Sequence, residues 1–538
     1  MQTKYIVVLG SLLSGIGKGV ITSSILKILD MYNIRAIPIK FDGYLNVDCG
    51  TMNPFRHGEV FVLDDGAEVD MDFGMYERFL NKDLDRDLSL TSGKIFSEII
   101  EKERRGDYLG YDVQVVPHLI EFIKDKIRGI AKKREAEVVV IEVGGTVGDL
   151  ENSYFIEAMR SLSTEEDTVF VVVTYVLKPH ATGEQKTKPA QLGLRAVMSY
   201  GIKPSYVVCR SEDPLEGSTI EKISSFGSIS KERVIDARDL ETIYEMPLHL
   251  INQGFDKLLL KDICMEDRAI DKDKYNRWSS LVNSIKSSRD NVKIGIVGKY
   301  VTVKDAYISV KEALVHASAY LNIKPEIYWI DSESIEREGV EVLKDLHGII
   351  VPGGFGARGT EGMIKSIEFS RLNKIPYLGL CLGMQLMCIE YARDVCNIKD
   401  ATSEEFNPGA EHKIIVYLPT QRSIQKLGGT MRLGLYEAVI KDNSIAKDAY
   451  KREIIRERHR HRYELNNDYR EILEKAGLKI TGVSPDNKLV EIVEWSQSFG
   501  IGTQAHPELR SRLEKPSELF LRFLEEAYRY KQDKGAVR

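Results

Sequence analysis

Twice in this chain a short apolar run leads through a glycine-rich turn straight into a helical pattern, and that unit limits the possible folds more than any other feature. The first is Tyr-Ile-Val-Val-Leu at 5–9, then Gly-Ser-Leu-Leu-Ser-Gly-Ile-Gly-Lys-Gly at 10–19, then a helical pattern at 20–29. The second is the run 375–380, then Cys381 with Gly379 and Gly383 on either side, then a helical pattern at 384–393. Apolar runs of strand length are buried on both faces, and parallel strands of that kind need helical crossovers. Further runs at 36–39, 138–141 and 168–174 alternate with helical patterns, and the cycle restarts at 293–297. The sequence therefore predicts an α/β chain of two doubly wound parallel-sheet domains. A polar stretch, 267–290, with a helical pattern at 278–285, divides it into 1–266, a linker, and 291–538.

At 538 residues the chain exceeds one core, and 43% hydrophobic content suffices for ordinary packing. No apolar run approaches the roughly 20 residues of a membrane helix, so no membrane partner is expected. The first apolar run is short and enters a glycine loop, unlike a signal peptide, and six cysteines without framework spacing point to a reducing, cytoplasmic setting. A net charge of −6 gives no general attraction for nucleic acid. The basic runs at 102–105 and 451–462 read as solvated faces. An amphipathic helix is expected at 517–531, followed by a loose basic tail.

About 125 residues after Cys381 comes His506-Pro507-Glu508, a spacing that suits a nucleophile, a base and a group that orients the base. A strand-to-helix turn should lift the Cys381 sulfur into solvent beside the partial positive charge of a helix N-terminus, which favours thiolate. The loop Pro352-Gly353-Gly354-Phe355-Gly356 offers backbone N–H groups for an oxyanion. Cys388 and Cys396 read as core. From about 291 onward the chain resembles a class I glutamine amidotransferase, the family that releases ammonia from L-glutamine. The resemblance implies Cys381 as nucleophile, His506 as base and Glu508 as its orienter. Gly354 and Leu382 would supply backbone donors beside Gly383 and Met384, and Gln385, Glu405 and Arg462 would hold the amino-acid end of glutamine. Ala505 stands where the family usually has phenylalanine.

Residues 10–19 have the context of a phosphate loop: N–H groups of the turn and the helix N-terminus converge, and Lys18 adds a point charge. Gly10 precedes Gly17 by seven residues instead of five, and Gly19 replaces the usual hydroxyl residue. Magnesium would then need carboxylates at strand ends, and Asp72 and Glu142 are the candidates. A phosphate-binding half joined to an ammonia-producing half implies ATP-dependent amination of an acceptor that the residues alone do not identify.

The first half also resembles the synthetase domain of the CTP synthase family. The blocks that carry the likeness are Lys40-Phe41-Asp42, 53–62 (NPFRHGEVFV), 102–110 (KERRGDYLG), 144–149 (GGTVGD) and 186–191 (KTKPAQ). The resemblance implies conversion of UTP to CTP through a 4-phosphorylated UTP. ATP would lie against Gly15, Ile16, Gly17, Lys18, Gly19, Val20, Lys40 and Asp72, with Arg238, Asp239 and Leu240 at the adenine side. UTP and the feedback inhibitor CTP would meet Ser14, Asp149, Leu150, Glu151, Lys186, Thr187, Lys188, Pro189, Ala190, Gln191 and Lys222. Asp72 and Glu142 would bind Mg2+, and His57 and Val60 would line a passage for ammonia. It further implies activation by GTP and a homotetramer that can form filaments.

Departures from the family pattern are Gly43 and Cys49 for prolines, Ser11 and Gly15 in the phosphate loop, Ser224, Ser225 and Gly227 beside Lys222, and Ile308 for a lysine associated with GTP. Three other readings stand beside this one. They are amidation of a corrin-type cofactor, against which the 186–191 block speaks, a scaffold with relic sites, and a metal half-site at His459 and His461, which the neighbouring arginines disfavour.

Overall fold

The computed structural model describes residues 2–418 and 428–536. Packing divides the chain into two compact units, one of residues 2–48 and 75–282, the other of 49–74 and 283–536.

In the first unit seven strands lie parallel: β1 (Lys4–Gly10), β2 (Ala36–Asp42), β3 (Ser89–Thr91), β4 (Val138–Val143), β5 (Thr168–Tyr175), β6 (Tyr206–Ser211) and β7 (Val234–Arg238). Their order across the sheet is β3-β2-β4-β1-β5-β6-β7. Every residue of β4 is buried, as expected of a central strand covered on both faces. Helix α1 (Lys18–Met31) follows β1 through Gly17, whose φ of 89° places it in the left-handed region that glycine enters without strain. The stretch 267–290 is mostly helix α2 (Lys272–Ser287). Its polar composition hides two anchors, Trp278 and Val282, both buried. Trp278 donates its indole N–H to the Tyr244 carbonyl at 2.8 Å, and its ring meets Phe79, Tyr244 and the Lys27 ammonium.

The second unit is built on nine strands: β8 (Asp290–Gly298), β9 (Ile323–Asp331), β10 (Gly348–Val351), β11 (Tyr377–Leu380), β12 (Arg432–Ile440), β13 (Ile454–His461), β14 (Leu478–Val483), β15 (Val490–Trp495) and β16 (Gly500–Thr503). Their order is β9-β8-β10-β11-β16-β15-β14-β12-β13. The first five are mutually parallel, and the rest continue antiparallel, so this sheet is mixed where a purely parallel one was expected. Separate apolar cores cover its two faces. Helix α3 (Leu382–Asp394) follows β11, and the last helix, α4 (Glu518–Ala536), extends beyond the expected 517–531 and takes up most of the supposed tail. Residues 537 and 538 of that tail lie outside the described residues.

Residues 49–74 were read as part of the first half but pack with the second unit. A short hairpin, Phe61–Val62 with Glu68–Val69, lies beside β13, where the fully buried Arg458 donates from Nε to Asp64 at 2.5 Å and Arg460 from Nε to Glu68 at 2.8 Å. Gly66 and Gly434, both with positive φ, let the two backbones touch: a Cβ on Gly434 would lie 2.7 Å from the Gly66 nitrogen. Cys49, where the family has proline, donates its N–H to the Glu68 carbonyl at 3.1 Å, a bond that proline lacks.

Replacing the buried Trp278 leaves a large cavity. Trp278→Ala should destabilise the first unit by about 3–5 kcal/mol, seen as a lowered urea midpoint. A midpoint within a few tenths of a molar of the parent would contradict the anchoring assigned to α2.

Candidate active site

Cys381 sits at the junction of β11 and α3 with φ 50° and ψ −99°, a conformation that costs energy for any residue with a Cβ. The flanking glycines make this turn possible. A Cβ on Gly383 would fall 2.1 Å from the Val351 carbonyl oxygen, and one on Gly379 would fall 2.7 Å from the Gly383 carbonyl carbon. The Cys381 N–H is spent on the Thr503 carbonyl at 2.7 Å, tying the elbow to β16. The first amide used inside α3 is that of Gln385, which donates to the Cys381 carbonyl at 3.1 Å. The N–H groups of Leu382, Gly383 and Met384 therefore form the positive end of the helix beside the sulfur.

The expectation that the turn lifts the sulfur into solvent is wrong: Cys381 is only 5% exposed. It lies in the wall of a cavity shared with Val60, Tyr300, Gly353, Gly354, Arg460 and His506. Its thiol points to the Arg460 carbonyl at 3.8 Å and accepts from Gln504 Nε2 at 3.5 Å.

His506 Nδ1 donates to Glu508 Oε1 at 2.7 Å. Its Nε2 is buried without a nitrogen or oxygen partner, and Gly353 lies so close to the ring and to Cys381 that a Cβ there would be 2.9 Å from His506 Cε1 and 3.7 Å from Cys381 Cβ. Burial pushes the imidazole down, but the Glu508 and Cys381 charges outweigh it and raise His506 to about 10. An imidazolium beside a sulfur is the proton store that expulsion of an amine requires.

The glycine loop after β10 is gripped from two directions. Lys299, nearly buried, donates from Nζ to the Phe355 carbonyl at 3.1 Å and to that of Gly356, and burial pulls its ammonium down to about 8. Glu405 accepts from the Gly356 N–H at 2.7 Å, and burial raises its carboxyl above the usual range. Arg462 donates to Thr430 Oγ1 at 3.2 Å. Gln385 is buried and gives its Nε2 to the Tyr463 carbonyl at 3.1 Å and to Gln504 Oε1 at 3.2 Å, so it orients Gln504. Sequence reasoning overlooked Lys299 and Gln504. Each directly follows an apolar strand of the site, Lys299 after β8 and Gln504 after β16, and that position is the signal that could have found them. Of the two residues expected to line a passage, Val60 is in the cavity wall and His57 is exposed outside it. His459 and His461 contact each other and Arg432 within 3.3 Å. Burial, reinforced by the Arg432 charge, drives His459 well below its ordinary value and His461 to about 3, so both stay neutral.

In the first unit the nucleotide candidates gather at the C-terminal ends of the strands, where ligands of open α/β sheets bind. Lys18 Nζ donates to the Gly145 carbonyl at 2.6 Å, and Val147 donates to the Gly10 carbonyl at 2.8 Å, so loops 10–19 and 144–151 meet. Arg210, which pairs with Asp239, covers Gly17: a Cβ there would lie 2.2 Å from Arg210 Nη1. Through Arg210, Asp239 is brought beside the phosphate loop. The helix Lys188–Ser199 packs on the same loop, since a Cβ on Gly193 would meet Ser11 Oγ at 2.5 Å. Gln191 there donates to Thr187 at 3.1 Å and shares a surface cleft with Lys222. Lys186 pairs with Glu184 at 2.7 Å, and Leu150 and Glu151 are exposed. Gly43, another departure, has no room for a side chain, with Asn152 Oδ1 2.3 Å from an added Cβ. Glu142 receives Lys40 Nζ at 2.9 Å and the Tyr76 hydroxyl at 2.5 Å. Asp72 belongs to the stretch that packs with the second unit; it begins the helix Asp72–Leu80, its N–H donating to Asp70 Oδ1 at 3.0 Å.

Residues 302–526 match the family model described as glutamine amidotransferase class-I, and residues 4–265 match that described as CTP synthase N-terminus. The chain is thus an amidotransferase joined to a nucleotide-handling domain. It is 48% identical to a CTP synthase of Pyrococcus abyssi over the full length of both, and 48% identical to one of Carboxydothermus hydrogenoformans over 97% of this chain and 98% of the other. A Trypanosoma brucei CTPS glutaminase domain with bound acivicin is 38% identical over 44% of this chain and 94% of that one, with a TM-score of 0.42. The chain belongs to the CTP synthase family.

Two measurements follow from the cysteine site. Gln504→Ala should lower the glutaminase kcat by tenfold to about a hundredfold with little change in KM, the worth of one hydrogen bond to a charged group; an unchanged kcat would remove the role given to Gln504. Because His506 is raised from 6.5 to about 10 on folding, its charged form contributes stability that is whole below pH 6.5 and is lost as pH rises toward 10. The stability gap between the parent and His506→Gln should narrow across that window, and a gap that widens would refute the charge assignment.

Proposed function

We propose that Cys381, His506 and Glu508 hydrolyse L-glutamine and that the first unit uses the released ammonia to convert UTP to CTP at the expense of ATP. The observation that carries this reading is the 2.7 Å His506–Glu508 pair sharing one cavity wall with Cys381 on its strained elbow. The Cys381 sulfur attacks the side-chain carbonyl of glutamine, and the N–H groups of Gly354 and Leu382 receive the oxyanion. His506 gives its proton to the departing amine, and water then clears the thioester with His506 as base. Gln385, Glu405 and Arg462 hold the amino-acid end of glutamine.

Ammonia cannot displace oxide from the uracil ring directly, so the O4 oxygen is first phosphorylated by ATP. Lys18 and the amides of 15–20 cradle the ATP phosphates, with Lys40 nearby, and Arg238, Asp239 and Leu240 bound the adenine side. Ser14, Lys186–Gln191 and Lys222 hold UTP, and Asp149, Leu150 and Glu151 hold CTP as inhibitor. Glu142 stands in register with Lys40 and Val8, one residue before the end of β4, and its all-oxygen chemistry with Asp72 suits magnesium. Those two residues would hold Mg2+, which neutralises triphosphate charge. Ammonia passes between the sites past Val60 and His57. The division into 1–266, 267–290 and 291–538, activation by GTP, a cytoplasmic location and a homotetramer capable of forming filaments complete the reading. Among the described residues no helix is long and apolar enough to cross a membrane.

With ATP, Mg2+ and UTP supplied, CTP formation should run on either glutamine or ammonium. Cys381→Ala should abolish only the glutamine-dependent rate, and Lys18→Ala should abolish both. Loss of the ammonium-dependent rate in a folded Cys381→Ala variant would overturn the separation of roles.

A further inference from the structure

Among the described residues β13 ends the second sheet: β12 pairs with it on one side, and its outer edge faces the cysteine site. On that edge the Arg458 carbonyl accepts the His506 N–H at 2.8 Å, and two residues further on the Arg460 carbonyl receives the Cys381 thiol at 3.8 Å. Residues i and i+2 of a strand turn their carbonyls to the same side, roughly 7 Å apart. This edge therefore spaces the base from the nucleophile.

The hairpin 61–69, part of the same unit, holds the edge in place. Arg458 is fully buried, and it donates from Nε to Asp64 Oδ1 at 2.5 Å and from Nη1 to the Leu509 carbonyl, next to Glu508, at 3.3 Å. A guanidinium at that depth follows its carboxylate, because separating the two leaves a buried charge uncompensated. Asp64 fixes the neighbouring strand as well. Its carbonyl accepts at 3.0 Å the N–H of Leu435, the residue of β12 that lies opposite Arg458. Glu68 holds Arg460 in the same manner: its side chain is fully buried, Oε1 accepts from Arg460 Nε at 2.8 Å, and Oε2 accepts from the Gly429 N–H at 3.3 Å. Each guanidinium also lies 5.3 Å from a ring, Arg458 over Phe61 and Arg460 over Phe355. A change at either carboxylate is thus felt along the strand that both reacting residues touch.

We propose that Asp64 and Glu68 are positioning residues of the glutaminase site: Asp64 acts through Arg458 on His506, and Glu68 acts through Arg460 on Cys381. The inference rests on the assignment of Cys381 as nucleophile and His506 as base, and it adds two carboxylates that act at one remove. Misplacing reacting groups by 1 Å costs up to about a hundredfold in rate, so a small shift of the edge suffices.

The test uses the full-length protein with ATP, Mg2+ and UTP present and reads the glutamate released from glutamine. Asp64→Asn and Glu68→Gln should each lower kcat at least tenfold and leave KM within threefold of the parent, because other residues hold the amino-acid end of glutamine. Should either variant lose the circular dichroism of the parent, Asp64→Glu and Glu68→Asp keep the charge but displace it by one methylene, and the same loss is expected. A second readout needs no glutamine: the rate at which iodoacetamide alkylates Cys381, followed by mass spectrometry. Asp64→Asn should slow it at least fivefold in the parent and leave it within twofold in the His506→Gln background, since Asp64 acts through His506. A kcat loss below tenfold in either folded variant, a loss carried by KM instead, or equal slowing of alkylation in both backgrounds would overturn the proposal. A parent that releases no glutamate would strike the glutaminase reading instead, and the alkylation comparison would still decide the role of Asp64.

Discussion

The approach of Gly383 to the Val351 carbonyl is the constraint from which the cysteine site follows. With only hydrogen in the 2.1 Å gap where a Cβ would stand, α3 can begin directly against the end of β10, and Cys381 is pushed into its positive-φ turn. The sulfur is thereby fixed in three directions: by the backbone bond to Thr503, by the Gln504 amide and by the Arg460 carbonyl. A larger residue at 379 or 383 would shift every one of these contacts at once.

Burial of that sulfur changes how its chemistry is organised. In water a sulfur nucleophile is held by solvent; at 5% exposure it depends on fixed partners, and the charges of His506 and Glu508 act through little intervening water. The same economy governs the neighbouring loop. Lys299 and Glu405 both bind the Phe355–Gly356 backbone, one at its carbonyls and one at its N–H, so the loop has a defined face toward Cys381 without any side chain of its own taking part. The strands supply these partners from their C-terminal ends, which is why residues as distant in sequence as 299, 381 and 504 meet.

Much of this was legible in the chain, for identifiable reasons. Apolar runs such as 138–141 can only be central strands, and the glycines around Lys18 and Cys381 marked turns that lead into helices. The departures Gly43 and Cys49 were visible as departures, but their causes, a missing space beside Asn152 and a needed N–H to Glu68, are facts of tertiary packing. The helix Lys272–Ser287 was obscured because only Trp278 and Val282 of it are buried, too few to give a strong helical period. Gln504 was missed because a single glutamine has no pattern, and its bond to Gln385 crosses 119 residues. The antiparallel edge of the second sheet was missed for the same reason, since strands that carry charged residues, such as β13, do not read as buried runs.

The pairing of Arg458 with Asp64 spans 394 positions, and residues 49–74 pack with the C-terminal unit. During synthesis this early hairpin leaves the ribosome long before the sheet that receives it exists. The first unit can close around its own seven strands meanwhile, but the second has to wait for translation to finish nearly the whole polypeptide. Order of birth and order of assembly are thus reversed for one short stretch, and a truncated nascent chain would carry an acidic hairpin with no arginine to receive it.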